Sequence, residues 1–204
     1  MIDTINSTIR RLPTWPFYLG SAIYAVWLFY LGLTGGLGVE PINALERAYG
    51  EAGLILLVIG LAVTPLRRYV GLNLQKFRRA IGLTTFFFIL AHFTVWVVLD
   101  VQSVARVWEE IVERPFVTVG MLGFILMVPL ALTSNNASVK RMGAAAWCQL
   151  HKLTYPTAIL GAVHYLWLVK GFQLKPIIFF GIILVLLVTR LKFRSSKNRA
   201  TSQA

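Results

Sequence analysis

Three histidines occur in this chain, and each lies in an apolar stretch where an ionisable ring is unusual. They are His92, His151 and His164. An ionisable residue inside a membrane segment is a functional candidate, and the neutral imidazole is the commonest metal ligand. The alternative for any one of them is a hydrogen bond between neighbouring helices. All three histidines are therefore candidate metal ligands.

The elements that position these histidines are apolar segments. Hydrophobic residues make up 57% of the chain and charged residues only 14%, a composition that a soluble domain of this size does not carry. A membrane-spanning helix needs about 20 apolar residues, and six runs approach that length: 15–33, 52–66, 80–99, 115–133, 147–169 and 174–191. The sequence thus predicts an all-α membrane protein built as a six-transmembrane-helix bundle.

The net charge is +12, and the basic residues are concentrated in alternate connections between the apolar runs. Fifteen of the 20 basic residues lie in the N-terminal segment, in the second connection, in the fourth connection with the start of the fifth run, and in the C-terminal segment from Arg190 onward. The positive-inside rule then places both termini in the cytoplasm. We expect a cytoplasmic tail at 1–14, a transmembrane domain at 15–191 and a basic cytoplasmic tail at 192–204. Anionic lipid is a sufficient partner for the basic side, so we expect no nucleic acid binding.

Depth along the helices separates the histidines. His92 lies 13 residues beyond Arg79 and His164 lies 12 beyond Lys152, which puts both about 18 to 20 Å from the cytoplasmic rim. Two imidazoles at one depth on neighbouring helices can hold a haem iron from both faces. His151 lies at the opposite, inner end of the same run as His164.

On a straight helix, His151 and His164 face different directions. We expect Pro156 to kink this run, since proline removes a helical hydrogen bond. The kink would bring both rings toward the same helix interface. Alternatively, the helix passes between two cofactors that lie in different places. The single cysteine, Cys148, excludes an internal disulfide and a covalently attached c-type haem. Because few residues follow the last run, we also expect another molecule to deliver any electrons.

Several segments resemble a known family. They are W-C-Q-L-H-K-L-T-Y at 147–155, V-H-Y-L-W-L-V-K at 163–170, G-G-L-G-V-E-P at 35–41, T-P-L-R-R at 64–68, R-R-A-I-G-L at 78–83, A-H-F at 91–93, R-P-F-V-T-V-G at 114–120 and L-T-S at 132–134. The chain is similar to the MsrQ family, the haem-binding membrane subunits of bacterial methionine sulfoxide reductase systems. More broadly it resembles the ferric reductase-like transmembrane domain shared with NADPH oxidases. Relatives with two stacked haems carry a fourth histidine where this chain has Arg79.

The resemblance implies an electron-transfer subunit of the bacterial inner membrane that binds haem b and flavin mononucleotide (FMN). It would take electrons from the quinone pool or a cytoplasmic flavin reductase. It would pass them to a periplasmic molybdopterin enzyme of the MsrP type, which reduces methionine sulfoxide in oxidised proteins and carries the substrate chemistry. The outer haem would lie at His92 and His164, with one haem expected and a second, at His151, left open.

On the inner side, the resemblance places a flavin phosphate or haem propionates near cations, which suit such anions. The candidate cofactor-binding residues there are Arg78, Arg79, Arg141 and Lys152. Membrane topology alone also explains these basic residues, so both interpretations stay open.

Three other functions compete with this one. A haem b ferric or quinone-linked cytochrome would use another acceptor. A non-redox transporter would use the histidines as a proton relay, although every Asp and Glu lies outside or at the edge of an apolar run. A membrane scaffold for a periplasmic enzyme would need no histidine.

Overall fold

A computed structural model describes residues 2–169 and 171–190. Within these residues the regular structure is helical, without strands. The α-helices are α1 Ile2–Arg11, α2 Trp15–Leu33, α3 Pro41–Pro65, α4 Arg78–Val95, α5 Val104–Glu113, α6 Pro115–Leu132, α7 Asn136–Met142, α8 Ala144–Leu150, α9 Thr154–Leu168 and α10 Leu174–Val188. Turns of π-helix extend α3 and α4, and 3₁₀ turns precede α4 and α9. The expected tail at 192–204 lies outside the described residues.

Four segments are long and apolar enough to cross a membrane, and a shorter apolar helix follows them. The four are Trp15–Leu33, Pro41–Val70, Gln75–Val101 and Pro115–Leu132, and the shorter helix is Leu174–Val188. Large apolar side chains such as Ile23, Val26 and Ile125 remain exposed on these helices, as expected for surfaces that face lipid. The all-α membrane fold is confirmed. The count of six spans and the cytoplasmic position of both termini stay predictions.

Helix α3 is longer than the apolar run 52–66 from which we predicted it. It begins at Pro41, because proline has no N–H to satisfy and is favoured in the first turn of a helix. Its first turns carry polar residues, including Glu46 and Glu51, which the apolar pattern did not assign to a helix. These two carboxylates therefore belong to a helix rather than to a loop.

The run 147–169, which we expected to be one helix kinked at Pro156, is divided by a 3₁₀ turn. Helix α8 ends at Leu150, a 3₁₀ turn covers His151–Leu153, and α9 starts at Thr154. Pro156 lies in the first turn of α9 rather than at a kink within a longer helix. The physical reason is that first-turn N–H groups have no helical partner, so proline there removes no hydrogen bond.

Two clusters of buried side chains hold the helices together. One joins α2, α3 and α4 around Tyr49 and Phe88, and the other joins α3, α9 and α10 around Leu61, Ala158 and Ile183. The most extensive helix pairs are α3 with α4 and α6 with α9. Each pair therefore carries one histidine on its second helix, His92 on α4 and His164 on α9.

Candidate functional site

The structure brings the rings of His92 and His164 together, with the edge of one toward the face of the other. Their ring centroids lie 6.3 Å apart and the ring planes are inclined by 74°. The two residues come from α4 and α9, which are separated in sequence by α5 to α8. The pairing therefore depends on the packing of the whole bundle rather than on local sequence.

Each ring is held by a main-chain oxygen of the helix beside it. His92 Nδ1 lies 2.9 Å from the carbonyl oxygen of Glu46 on α3, and His164 Nδ1 lies 2.7 Å from that of Phe116 on α6. A carbonyl oxygen only accepts hydrogen bonds, so Nδ1 carries the hydrogen and donates it in both residues. In a neutral imidazole the other nitrogen, Nε2, then keeps its lone pair. A backbone acceptor on one ring nitrogen is the usual partner of a metal-ligating histidine.

The two rings line a cavity of about 580 Å³, within the range of about 300–1,000 Å³ that ligand pockets occupy. Its walls are mainly apolar and include Phe93, Phe124 and Met127, while the ionisable side chains of Glu46 and Arg47 also line it. An apolar interior with a guanidinium group at its wall suits a flat macrocycle that carries ionised carboxylates. The sequence analysis did not identify Glu46, Arg47 or Phe116 as part of a site.

The distance between the rings fits two axial ligands of one iron. An imidazole nitrogen binds a metal at about 2 Å, and adding the distance from each nitrogen to its ring centre gives about 6 Å between the centroids of two opposed ligands. The observed 6.3 Å agrees. The described residues contain no cluster of three or more His, Cys, Asp or Glu able to hold a metal ion. Two histidines alone suit haem iron, whose remaining ligands come from the macrocycle, better than zinc, which takes at least three protein ligands.

His151 lies apart from this cavity and has its own surroundings. Its Nε2 is 3.2 Å from the Thr133 hydroxyl, and the Trp147 ring stacks on it with centroids 3.8 Å apart. The Trp147 indole N–H also donates to the Thr133 carbonyl, at 2.8 Å. Because one ring nitrogen faces a hydroxyl, metal ligation through it would have to replace this contact.

The four basic residues expected near a cofactor are spread over three elements. Arg78 and Arg79 begin α4, Arg141 lies near the end of α7, and Lys152 lies in the 3₁₀ turn. Lys152 Nζ donates to Gln149 Oε1 at 2.8 Å, whereas Arg79 and Arg141 are exposed and form no ion pair within the described part of the chain. Of the four, Arg78 is within electrostatic range of His151.

The sequence comparisons agree with this arrangement of apolar helices. Residues 49–162, more than half of the chain, match the family described as ferric reductase like transmembrane component. The matched region includes His92 and His151 and ends two residues before His164. Fold and site together define a membrane protein of the ferric reductase-like class.

Two curated relatives make the assignment more specific. The protein-methionine-sulfoxide reductase heme-binding subunit MsrQ of Brucella anthropi is 41% identical over 186 residues, which cover 91% of this chain and 84% of the relative. The subunit of the same name from Brucella ovis is 43% identical over 178 residues, which cover 87% of this chain and 80% of the relative. The chain belongs to the MsrQ family, which confirms the resemblance seen in its motifs. No solved structure matches the chain.

Proposed function

We propose that this protein is a transmembrane electron-transfer subunit of the bacterial inner membrane. It holds haem b between His92 and His164 and passes electrons to a periplasmic molybdopterin enzyme of the MsrP type. That partner would reduce methionine sulfoxide in oxidised periplasmic proteins. The proposal extends to this chain the haem binding and the reductase that the names of its relatives state.

The paired imidazoles are the observation that supports this proposal. Each ring donates Nδ1–H to a carbonyl and keeps Nε2 for a metal, and the rings are spaced for one iron between them. His92 and His164 together would hold a haem as a one-electron carrier without a free iron position, which would favour electron transfer over oxygen activation. The apolar walls surround the rings, and the main-chain oxygens fix the plane and tautomer of each imidazole.

The direction of transfer follows from the distribution of charge. By the positive-inside rule Arg78, Arg79, Arg141 and Lys152 would lie on the cytoplasmic side, where guanidinium and ammonium groups suit a flavin phosphate. We propose that this side binds FMN and receives electrons from the quinone pool or a cytoplasmic flavin reductase. The outer half, with His92 and His164, then faces the periplasmic acceptor.

Haem content and redox titration of the purified full-length protein test the haem site. We expect the wild type to show a six-coordinate, low-spin b-type spectrum. His92→Ala and His164→Ala should each lose the haem that the wild type carries, whereas His151→Ala should retain it. A second redox wave that disappears only in His151→Ala would support a second haem at the inner side.

Electron delivery needs a separate measurement. The pre-reduced wild type should be reoxidised when an MsrP-type enzyme and a methionine sulfoxide peptide are added together, and His92→Ala should show no such reaction. Full haem content in both His92→Ala and His164→Ala would refute the proposed site. Solute flux by a preparation without chromophore would instead favour the proton-relay transporter.

A further inference from the structure

A glycine of the neighbouring helix lies against each of the two paired rings. A Cβ added at Gly50 of α3 would lie 3.1 Å from His92 Nδ1. A Cβ added at Gly120 of α6 would lie 2.8 Å from His164 Nδ1 and 2.9 Å from its Cε1. Since real Cβ atoms essentially never come within 3.0 Å of another heavy atom, a side chain at Gly120 is incompatible with the observed ring, and one at Gly50 is compatible only with a small shift.

The two glycines occupy the same register relative to the hydrogen-bond acceptors. Gly50 follows Glu46 by four residues, and Gly120 follows Phe116 by four. In an α-helix, the carbonyl of one residue accepts the N–H of the residue four positions later. Each acceptor carbonyl therefore receives the glycine N–H on one lone pair and the histidine Nδ1–H on the other. The same arrangement thus occurs twice, once in the α3 and α4 pair and once in the α6 and α9 pair.

This contact is not common to all glycines in the apolar helices. Gly20, Gly82 and Gly181 also lie in helices, and a Cβ added at any of them would meet nothing within 4 Å. Gly82 is on α4 itself, the helix that carries His92. Close approach by itself is not confined to the two ring positions, since a Cβ at Gly53 would lie 2.5 Å from Ile89 Cδ1. At Gly50 and Gly120, however, the neighbour is the imidazole ring of a paired histidine.

We infer that Gly50 and Gly120 are positioning residues for the two haem ligands, because a bare backbone at these positions lets each ring reach its carbonyl. The inference rests on the proposed function, in which His92 and His164 bind haem iron. A methyl group would push the imidazole away from its acceptor, and since the ring is rigid, Nε2 would move with it. The hydrogen bond would lengthen, and the ring would donate less electron density to the iron.

The substitutions Gly120→Ala and Gly50→Ala test this inference in the purified full-length protein, with Gly82→Ala as the matched control. Loss of an outer partner of a metal-ligating histidine costs about 10- to 100-fold in affinity. We expect a loss of haem affinity in this range for Gly120→Ala and a smaller loss for Gly50→Ala, where the contact is less tight. Gly82→Ala should bind haem as the wild type does.

Electron paramagnetic resonance and the midpoint potential of the haem distinguish a displaced histidine ligand from a general loss of structure. In the haem that Gly50→Ala retains, we expect altered low-spin electron paramagnetic resonance signals and a midpoint potential higher than that of Gly82→Ala, since weaker donation destabilises the oxidised iron. If Gly120→Ala does not fold, Gly50→Ala decides the question. Wild-type signals and potential in Gly50→Ala, at wild-type haem affinity, would overturn the inference. The proposed function would still stand in that case, because it fails only if His92→Ala and His164→Ala keep their haem.

Discussion

One buried hydrogen bond between α2 and α3 gives a quantitative test of the helix packing. The Tyr49 hydroxyl donates to the Ala25 carbonyl at 2.8 Å, and only 5% of Tyr49 is exposed. Tyr49→Phe removes the hydroxyl while keeping the ring against Phe88. The substitution therefore isolates the hydrogen bond from the apolar contact.

The expected cost follows from the environment of this bond. A buried hydrogen bond contributes about 0.5–1.5 kcal/mol, and bonds between membrane helices average about 0.6 kcal/mol. The Ala25 carbonyl keeps its helical N–H partner in the variant, so no acceptor is left without a bond. We expect Tyr49→Phe to destabilise the protein by about 0.6–1 kcal/mol, which lies between the membrane average and the upper part of the general range.

Thermal unfolding in a single detergent, followed by circular dichroism, measures this cost. For a chain of this size, 1 kcal/mol corresponds to about 2–4 °C in Tm, so we expect a decrease of about 1–4 °C. Tyr30→Phe is the matched control, because Tyr30 is 54% exposed and its hydroxyl makes no hydrogen bond within the described residues. An equal Tm for both variants would show that the Tyr49 hydroxyl does not stabilise the α2 and α3 contact, and the reasoning would be wrong.

Two further predictions concern the packing around the cavity. A Cβ added at Gly53 would lie 2.5 Å from Ile89 Cδ1, so Gly53→Ala should destabilise the protein by about 1–3 kcal/mol through overpacking. Ile89→Val, which deletes that atom, should recover part of the loss, and strictly additive effects in the double variant would contradict the contact. Lys175 Nζ lies 2.6 Å from Glu51 Oε1 at an exposed position, so Lys175→Gln should cost at most about 1 kcal/mol. A larger cost, or one that high salt does not reduce, would argue against an exposed ion pair.

The apolar pattern predicted some helices closely, because composition decides where a helix can lie in a membrane. The runs 15–33 and 115–133 correspond to α2 and α6 to within one residue. The pattern missed α1 and α5, each only ten residues long with polar residues on one face. It also missed the first turns of α3, since the polar residues there do not resemble a membrane segment. A proline at 41 was the available signal for that helix start.

The histidine pair was predictable, but its surroundings were not. Equal depth along two helices suggested that His92 and His164 could meet, and this follows from the rise per residue alone. The ring acceptors are main-chain oxygens of Glu46 and Phe116, and a main-chain group leaves no signature in residue type. The Thr133 and Trp147 contacts of His151 likewise depend on the break before α9, which the apolar pattern did not show.

The use of main-chain oxygens as ring acceptors has a consequence for genetics. Any residue type at position 46 or 116 supplies the same carbonyl oxygen, so the side chains there can change without removing the acceptor. At positions 50 and 120 even the smallest added side chain approaches a ring. Random mutagenesis scored by loss of cell pigment would therefore recover changes at the two glycines and few at the acceptors. A map of which positions tolerate substitution would then identify the two glycines beside the rings. It would not identify the residues whose carbonyl oxygens accept the ring hydrogen bonds.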